Sequence, residues 1–192
     1  DLSSAYESGK RIVDMVYEDL TPAKIMTRKA FENVIVTNSA IGGSTNAPIH
    51  INAIARHVGV DLDIKEWQTL GHDIPLLVNL QPAGEYLGEA YYEAGGVPAV
   101  MHELKEAGRL HLDVMTVNGK TLGENLEKRA SKDRKVILAY DQPMKREAGF
   151  VVLSGNLFDA AVMKTSVISE EFRGRYLSRP GDENAFEVQI GR

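Results

Sequence analysis

A glycine-led segment, residues 40–50, carries the side chains with the clearest chemical potential in this sequence, Ala-Ile-Gly-Gly-Ser-Thr-Asn-Ala-Pro-Ile-His. Glycines let the backbone turn sharply and approach a ligand closely. The helical pattern that follows places unpaired N–H groups and a partial positive charge at its first turn, which suit a carboxylate or a phosphate. His50 follows Asn46 by four positions, so the two can share one helix face. The segment predicts a small-anion site with these candidate binding residues: Gly43, Ser44, Thr45, Asn46 and His50.

The same segment has a second interpretation that needs no ligand. The two glycines would end one helix, and Ser44 or Thr45 would cap the next helix. Neither the phosphate-loop motif nor the dinucleotide-binding motif is present, because no Lys-Ser/Thr pair follows the glycines and no third glycine has the required spacing. A nucleotide site is therefore not favoured, while anion binding and simple capping both stay open.

Hydrophobic spacing predicts the elements that must position this segment. Helical patterns cover residues 2–20, 27–40, 44–58, 63–71, 85–93, 97–107 and 121–130. Compact apolar runs between turn residues predict strands at residues 74–80, 114–117, 136–140, 149–153 and 160–164. The sequence thus predicts a helix-rich α/β part, residues 1–140, followed by a β-rich part, residues 141–192.

Composition and charge narrow the classes of function. The chain has 192 residues, a formal net charge of -5 and 43% hydrophobic residues, enough apolar content for a real core. Lys and Arg are dispersed among acidic residues, which argues against nucleic-acid binding. The apolar run at residues 74–80 is too short to cross a membrane, and we expect no signal peptide. We expect a folded cytoplasmic protein with no membrane partner.

The chain contains no cysteine, which excludes disulfides and cysteine-ligated metals within it. His50 and His57 are seven residues apart with no nearby carboxylate, a weak pattern for a metal site, so no metal ligand is predicted. The first residue is Asp1 and not methionine, so we expect a segment of something longer.

Five blocks in order give this chain a family resemblance: Ala40-Ile-Gly-Gly-Ser-Thr-Asn-Ala-Pro-Ile-His50, His72-Asp-Ile-Pro-Leu-Leu-Val-Asn-Leu80, Tyr92-Glu-Ala-Gly-Gly-Val-Pro98, Val117-Asn-Gly-Lys-Thr-Leu-Gly-Glu-Asn125 and Leu153-Ser-Gly-Asn-Leu157. Together they resemble the middle of the dihydroxy-acid dehydratase and phosphogluconate dehydratase family. The run at residues 154–169 is more similar to the sugar-acid branch, the arabinonate and xylonate dehydratases. On this resemblance, residues 1–140 are the later half of an α/β N-terminal domain, and residues 141–192 open a β-rich, barrel-like C-terminal domain.

The resemblance implies a hydro-lyase that converts a 2,3-dihydroxy acid into a 2-keto-3-deoxy acid. Such enzymes use an iron–sulfur cluster held by cysteines, Mg²⁺ on the substrate carboxylate and 2-hydroxyl, and a serine as base. The cysteine-bearing and serine-bearing signatures of the family lie before Asp1 and beyond Arg192. No catalytic or metal-binding residue is therefore expected in this chain, which should be inactive alone. Residues 43–46 and His50 would bind the carboxylate and hydroxyls of a sugar-acid substrate.

The resemblance further implies a homodimer or a dimer of dimers for the complete enzyme. Two other functions stay open at this point. The chain could be a non-catalytic module that binds a small anion or a sugar acid, or part of a dihydroxy-acid dehydratase of branched-chain amino-acid synthesis.

Overall fold

The computed structural model describes residues 2–157, 159–169 and 171. These residues form a mixed α/β structure of eight helices and one antiparallel two-stranded sheet. The helices are α1 (Leu2–Tyr17), α2 (Pro22–Ile25), α3 (Arg28–Ile41), α4 (Asn46–His57), α5 (Glu66–Thr69), α6 (Gly88–Glu93), α7 (Gly96–Glu106) and α8 (Leu122–Asn125). The strands are β1 (Phe150–Leu153) and β2 (Ala161–Lys164), with Phe150 opposite Lys164. A barrel-like C-terminal domain is not shown, and most of residues 170–192 lie outside the described part of the chain.

The main core lies where α3 packs against α7. The buried segment 74–80 and the start of the segment 136–140 contribute to the same core. The N–H of Leu77 donates to the carbonyl of Ala40 at 2.8 Å, which ties this segment to the last turn of α3. Its apolar side chains fill the core together with those of both helices: Val36, Ala40, Ile74, Leu77, Val78, Val100, Leu104 and Ile137. The end of α3, which leads into the glycines, is thus fixed by the core itself.

A second core cluster forms around Trp67 of α5. Its indole N–H donates to the side-chain oxygen of Asn52 on α4 at 2.8 Å, so its polar atom is satisfied. Phe150 of β1 meets the indole edge to face, with ring centroids 5.7 Å apart. Residues after 141 therefore share a core with α4 and α5. The proposed domain boundary near residue 141 stays a prediction.

Most predicted helices are present, with shifted ends. Thr27 caps α3 by accepting from the N–H of Ala30, and Thr121 with Glu124 forms the predicted capping box of α8. The helix predicted over residues 121–130 is wrong in length, because Leu126 turns into the core and Lys128 takes a left-handed φ of 58°.

Three of the five predicted strands are extended segments without a ladder, and the prediction of regular strands there was wrong. Residues 74–80, 114–117 and 136–140 make only isolated bridges, such as Val78 with Ile137 and Met115 with Thr121. No regular ladder forms along segment 74–80 because its hydrogen-bond partners change along its length. They belong to α3, to residues 144–145 and to residues 136–138. The strands predicted at residues 149–153 and 160–164 are present as β1 and β2. No helix among the described residues is long and apolar enough to cross a membrane.

Candidate functional site

The glycine pair joins α3 to α4, and packing within the chain requires Gly42. Gly42 has a left-handed φ of 69° and donates its N–H to carbonyls in the last turn of α3. Such a conformation is routine only for glycine. A Cβ at this position would also lie 2.7 Å from Cδ1 of the buried Leu76. The helix end therefore explains this residue without a ligand.

Gly43 is required for a different reason. Its N–H donates to the carbonyl of Asn38 at 2.9 Å, and a Cβ here would overlap the side-chain amide of the same residue. The amide of Asn38 thus lies directly against the turn, a contact that the sequence analysis did not anticipate. The signal available was an asparagine within five residues of the glycine pair, in the last turns of α3.

Ser44 precedes Thr45, the N-cap residue of α4, whose own side chain makes no capping bond. The Oγ of Ser44 accepts from the N–H of Asn46 at 3.1 Å, and its carbonyl accepts from the N–H of Ala47 at 3.1 Å. The bond to Oγ is of the kind that the capping interpretation expects, and anion binding at this segment stays a prediction. Its hydroxyl hydrogen remains available, because the Oγ acts only as an acceptor in this bond.

Thr45, Asn46 and His50 are exposed, and their side chains make no hydrogen bond within the described part of the chain. The backbone N–H groups of Ser44 and Thr45 are likewise unused there. The structure thus brings residues 44–46 together at one helix start, and His50 follows one turn later on α4. Helix capping therefore does not account for these three side chains or for the two N–H groups.

The arrangement suits binding and not proton transfer. Two unpaired N–H groups, a hydroxyl and an amide lie at a helix N-terminus, where the macrodipole favours an anion. Within residues 2–157, 159–169 and 171, no group of three or more His, Cys, Asp or Glu side chains could hold a metal ion. The chain also lacks cysteine, so its residues do not fit a cysteine-ligated iron–sulfur cluster, and we assign no step through such a cluster.

An ion-pair network lies at the other end of α3. Glu32 accepts from Nε of Arg28 at 2.8 Å and lies 2.6 Å from Nε2 of His111, and Arg28 also pairs with Glu66. The hydrogen bond from Arg28 holds the pKa of Glu32 below its usual value, and His111 adds to the effect. This network links α3 to α5 and to the chain near residue 111.

Burial shifts the pKa of two further side chains. Burial raises the pKa of Tyr91 to about 12, which keeps the phenol neutral. Burial lowers the pKa of Lys164 at the end of β2. Neither residue lies in the glycine-led segment.

Comparison with known proteins identifies the family of this chain. Residues 2–125 match the family described as dihydroxy-acid/6-phosphogluconate dehydratase N-terminal. The chain belongs to this family. It is 57% identical over 185 residues to the D-xylonate dehydratase of Caulobacter vibrioides, covering 96% of this chain. It is 48% identical over 163 residues to the L-arabinonate dehydratase of Rhizobium leguminosarum bv. trifolii, covering 84% of the chain.

Dihydroxy-acid dehydratases are also similar, at a lower level. The enzyme of Caldanaerobacter subterraneus subsp. tengcongensis is 42% identical over 168 residues, 87% of this chain. The chain spans 31%, 28% and 30% of the lengths of these three relatives. It therefore corresponds to about a third of each of them.

Proposed function

We propose that this chain is a segment of a hydro-lyase that removes water from an aldonic sugar acid to give a 2-keto-3-deoxy acid. The observation that carries the proposal is the 57% identity to a D-xylonate dehydratase over 96% of the chain. Identity to L-arabinonate dehydratase is 48%, against 42% to a dihydroxy-acid dehydratase. This order supports a sugar acid over the branched-chain substrate.

The part that this chain plays is to bind the substrate's acid end at the start of α4. The free N–H groups of Ser44 and Thr45 and the amide of Asn46 would donate to the carboxylate and hydroxyl oxygens. His50, one turn later, would contact the hydroxyl-bearing end. An iron–sulfur cluster and Mg²⁺ would be held by residues outside this chain. The complete enzyme would be a cytoplasmic homo-oligomer.

A chimera provides the test. The matched 185-residue segment of the Caulobacter vibrioides D-xylonate dehydratase is replaced by the corresponding part of this chain. The purified chimera is then assayed for keto-acid formation from D-xylonate, L-arabinonate and a branched-chain 2,3-dihydroxy acid. The unmodified enzyme serves as the control.

We expect kcat/KM for one of the two sugar acids within about tenfold of the control, and at least tenfold above that for the branched-chain acid. A folded chimera that favours the branched-chain acid would overturn the sugar-acid assignment. A folded chimera that binds sugar acids without releasing a keto acid would favour the non-catalytic binding module.

A further inference from the structure

The turn at residues 116–120 contains the pair Asn118-Gly119, which lies outside the anion site at the start of α4. The N–H of Thr116 donates to the carbonyl of Lys120 at 3.0 Å and closes the turn. Gly119 has a left-handed φ of 77°, which glycine adopts without strain. Both residues of the pair are exposed, so water reaches the peptide bond between them.

The peptide nitrogen of Gly119 has open space around it. Among the described residues, a Cβ at this position would meet the ends of two long side chains, Nη2 of Arg11 at 3.6 Å and Oε2 of Glu18 at 3.7 Å. Attack of this nitrogen on Cγ of Asn118 would close a five-membered ring. The chain already holds the two reacting atoms close together, which favours such a ring closure.

Hydrogen bonds hold the side-chain amide of Asn118 in place. Its Oδ1 accepts from the N–H of Lys120 at 3.1 Å and lies 2.8 Å from Oγ1 of Thr116. Its Nδ2 donates to Oδ1 of Asn125, at the end of α8, at 2.6 Å. This last bond joins the turn to α8, and it engages the atom that leaves when the ring closes.

We propose that Asn118 is a site of spontaneous deamidation, and that its hydrogen bond to Asn125 slows the reaction. The nitrogen of Gly119 attacks Cγ of Asn118 and gives up its proton. The N–Cγ bond forms, the Cγ–Nδ2 bond breaks, and Nδ2 leaves with that proton as ammonia. Water then opens the succinimide ring at either carbonyl, which gives aspartate or isoaspartate at residue 118.

The bond to Asn125 slows this reaction for a physical reason. Cγ of Asn118 becomes tetrahedral during the attack, so the amide loses its planar shape and Nδ2 changes direction. The departing Nδ2 must also separate from Oδ1 of Asn125, and the bond between them therefore breaks before the ring closes. One side-chain hydrogen bond of this kind slows the step about fivefold.

Incubation of the 192-residue chain at pH 8 tests the site, after a thermal transition has shown that the chain is folded. Trypsin releases residues 110–120, in which Asn118 is the only asparagine, and mass spectrometry measures its conversion against a sample digested before incubation. Asn156 is the internal control, because it is exposed but the side chain of Leu157 obstructs the attacking nitrogen. Product should accumulate at Asn118 well before it does at Asn156. Equal conversion at the two residues, or none at Asn118, would overturn the proposal.

Two substitutions of Asn125 test the role of its hydrogen bond. Asn125→Ala removes the acceptor and should speed the reaction at Asn118 about fivefold. Asn125→Asp keeps an acceptor for Nδ2 and should react at nearly the wild-type rate. Glu124→Ala removes the capping box of α8 without a direct contact to Asn118, so it controls for lost stability and should not raise the rate. An unchanged rate in Asn125→Ala, or an equal rise in either other variant, would overturn the role of this bond.

Isoaspartate at residue 118 would also loosen α1. It adds one backbone atom to the turn, and the carbonyl of the preceding Val117 accepts from Nε of Arg11 on α1 at 2.7 Å. No residue of α1 is buried, so few other contacts hold this helix in place. Amide hydrogen exchange in α1 should therefore become faster as the wild-type chain ages, but not in Asn118→Gln, whose longer side chain does not close a five-membered ring. Unchanged exchange in α1 after isoaspartate has formed would overturn this effect.

Discussion

At the scale of single residues, the sequence allows both helix capping and anion binding for residues 44–46, at the start of α4. The Oγ of Ser44 accepts from the N–H of Asn46, whereas the side chains of Thr45 and Asn46 have no hydrogen bond within the described residues. The structure therefore shows which of these side chains bonds to the start of the helix, and anion binding by them stays a prediction. Only the structure could show this, because Ser, Thr and Asn are all good capping residues.

Replacing Asn46 and Ser44 separately in the active chimera should give opposite results. Asn46→Ala removes a proposed substrate hydrogen bond, so kcat/KM should fall roughly ten- to a hundredfold with Tm unchanged. Ser44→Ala removes the hydrogen bond to the N–H of Asn46 and should cost about 1 kcal/mol of stability. Arg56→Ala, at the exposed far end of α4, is the control and should change neither quantity. Normal kinetics in Asn46→Ala would remove this residue from the binding site.

The network at Glu32 predicts a dependence of stability on pH. The pKa of Glu32 is lowered in the folded chain, so its contribution is present above the unfolded value of about 4.3 and is lost as the pH falls. The Tm of the wild-type chain should therefore exceed that of Glu32→Gln at pH 7, and the gap should close as the pH falls below about 4. Glu85→Gln, whose side chain has no ion pair among the described residues, should show no such gap. A gap that persists at pH 3 would contradict the pairing.

At the scale of elements, helices could be predicted well and extended segments could not. The helices follow from spacing and caps that lie within a few residues of one another, such as Thr121 with Glu124. The extended segments depend on partners that are distant in sequence. Leu77 bonds to Ala40, and Asn79 bonds to Val136, so no local pattern could show that a regular ladder is absent.

The α3–α4 junction provides a prediction at this scale. Gly43→Ala would force the new methyl group into the amide of Asn38, which should cost about 1 to 3 kcal/mol of stability. Adding Asn38→Ala should restore much of that loss, because the clash disappears. Gly9→Ala in the exposed α1, where nothing lies within 4 Å, should instead stabilise the chain by up to about 1 kcal/mol. Additive losses in the double variant, measured by urea unfolding, would show that the clash is not the cause.

At the scale of the whole molecule, the contacts made by residues after 141 decide how far residues 1–140 and 141–192 are independent. Phe150 packs on Trp67, and the N–H of Met144 donates to the carbonyl of Leu76 at 2.9 Å. The sequence predicted a composition change near residue 141 but could not show these contacts, because side chains far apart in sequence make them. A boundary in composition is thus compatible with a shared core.

Limited trypsin digestion tests this view. The basic residues that flank the buried segment 136–138 are exposed, so the first cuts should fall within residues 128–135 or at Arg146. Because Leu138 and Phe150 hold their partners across these sites, the nicked fragments should stay together on native size-exclusion chromatography and separate only in denaturant. Fragments that separate without denaturant would indicate two independent parts. A first cut within residues 42–80, identified by mass spectrometry, would contradict the core described above, since that region anchors both clusters.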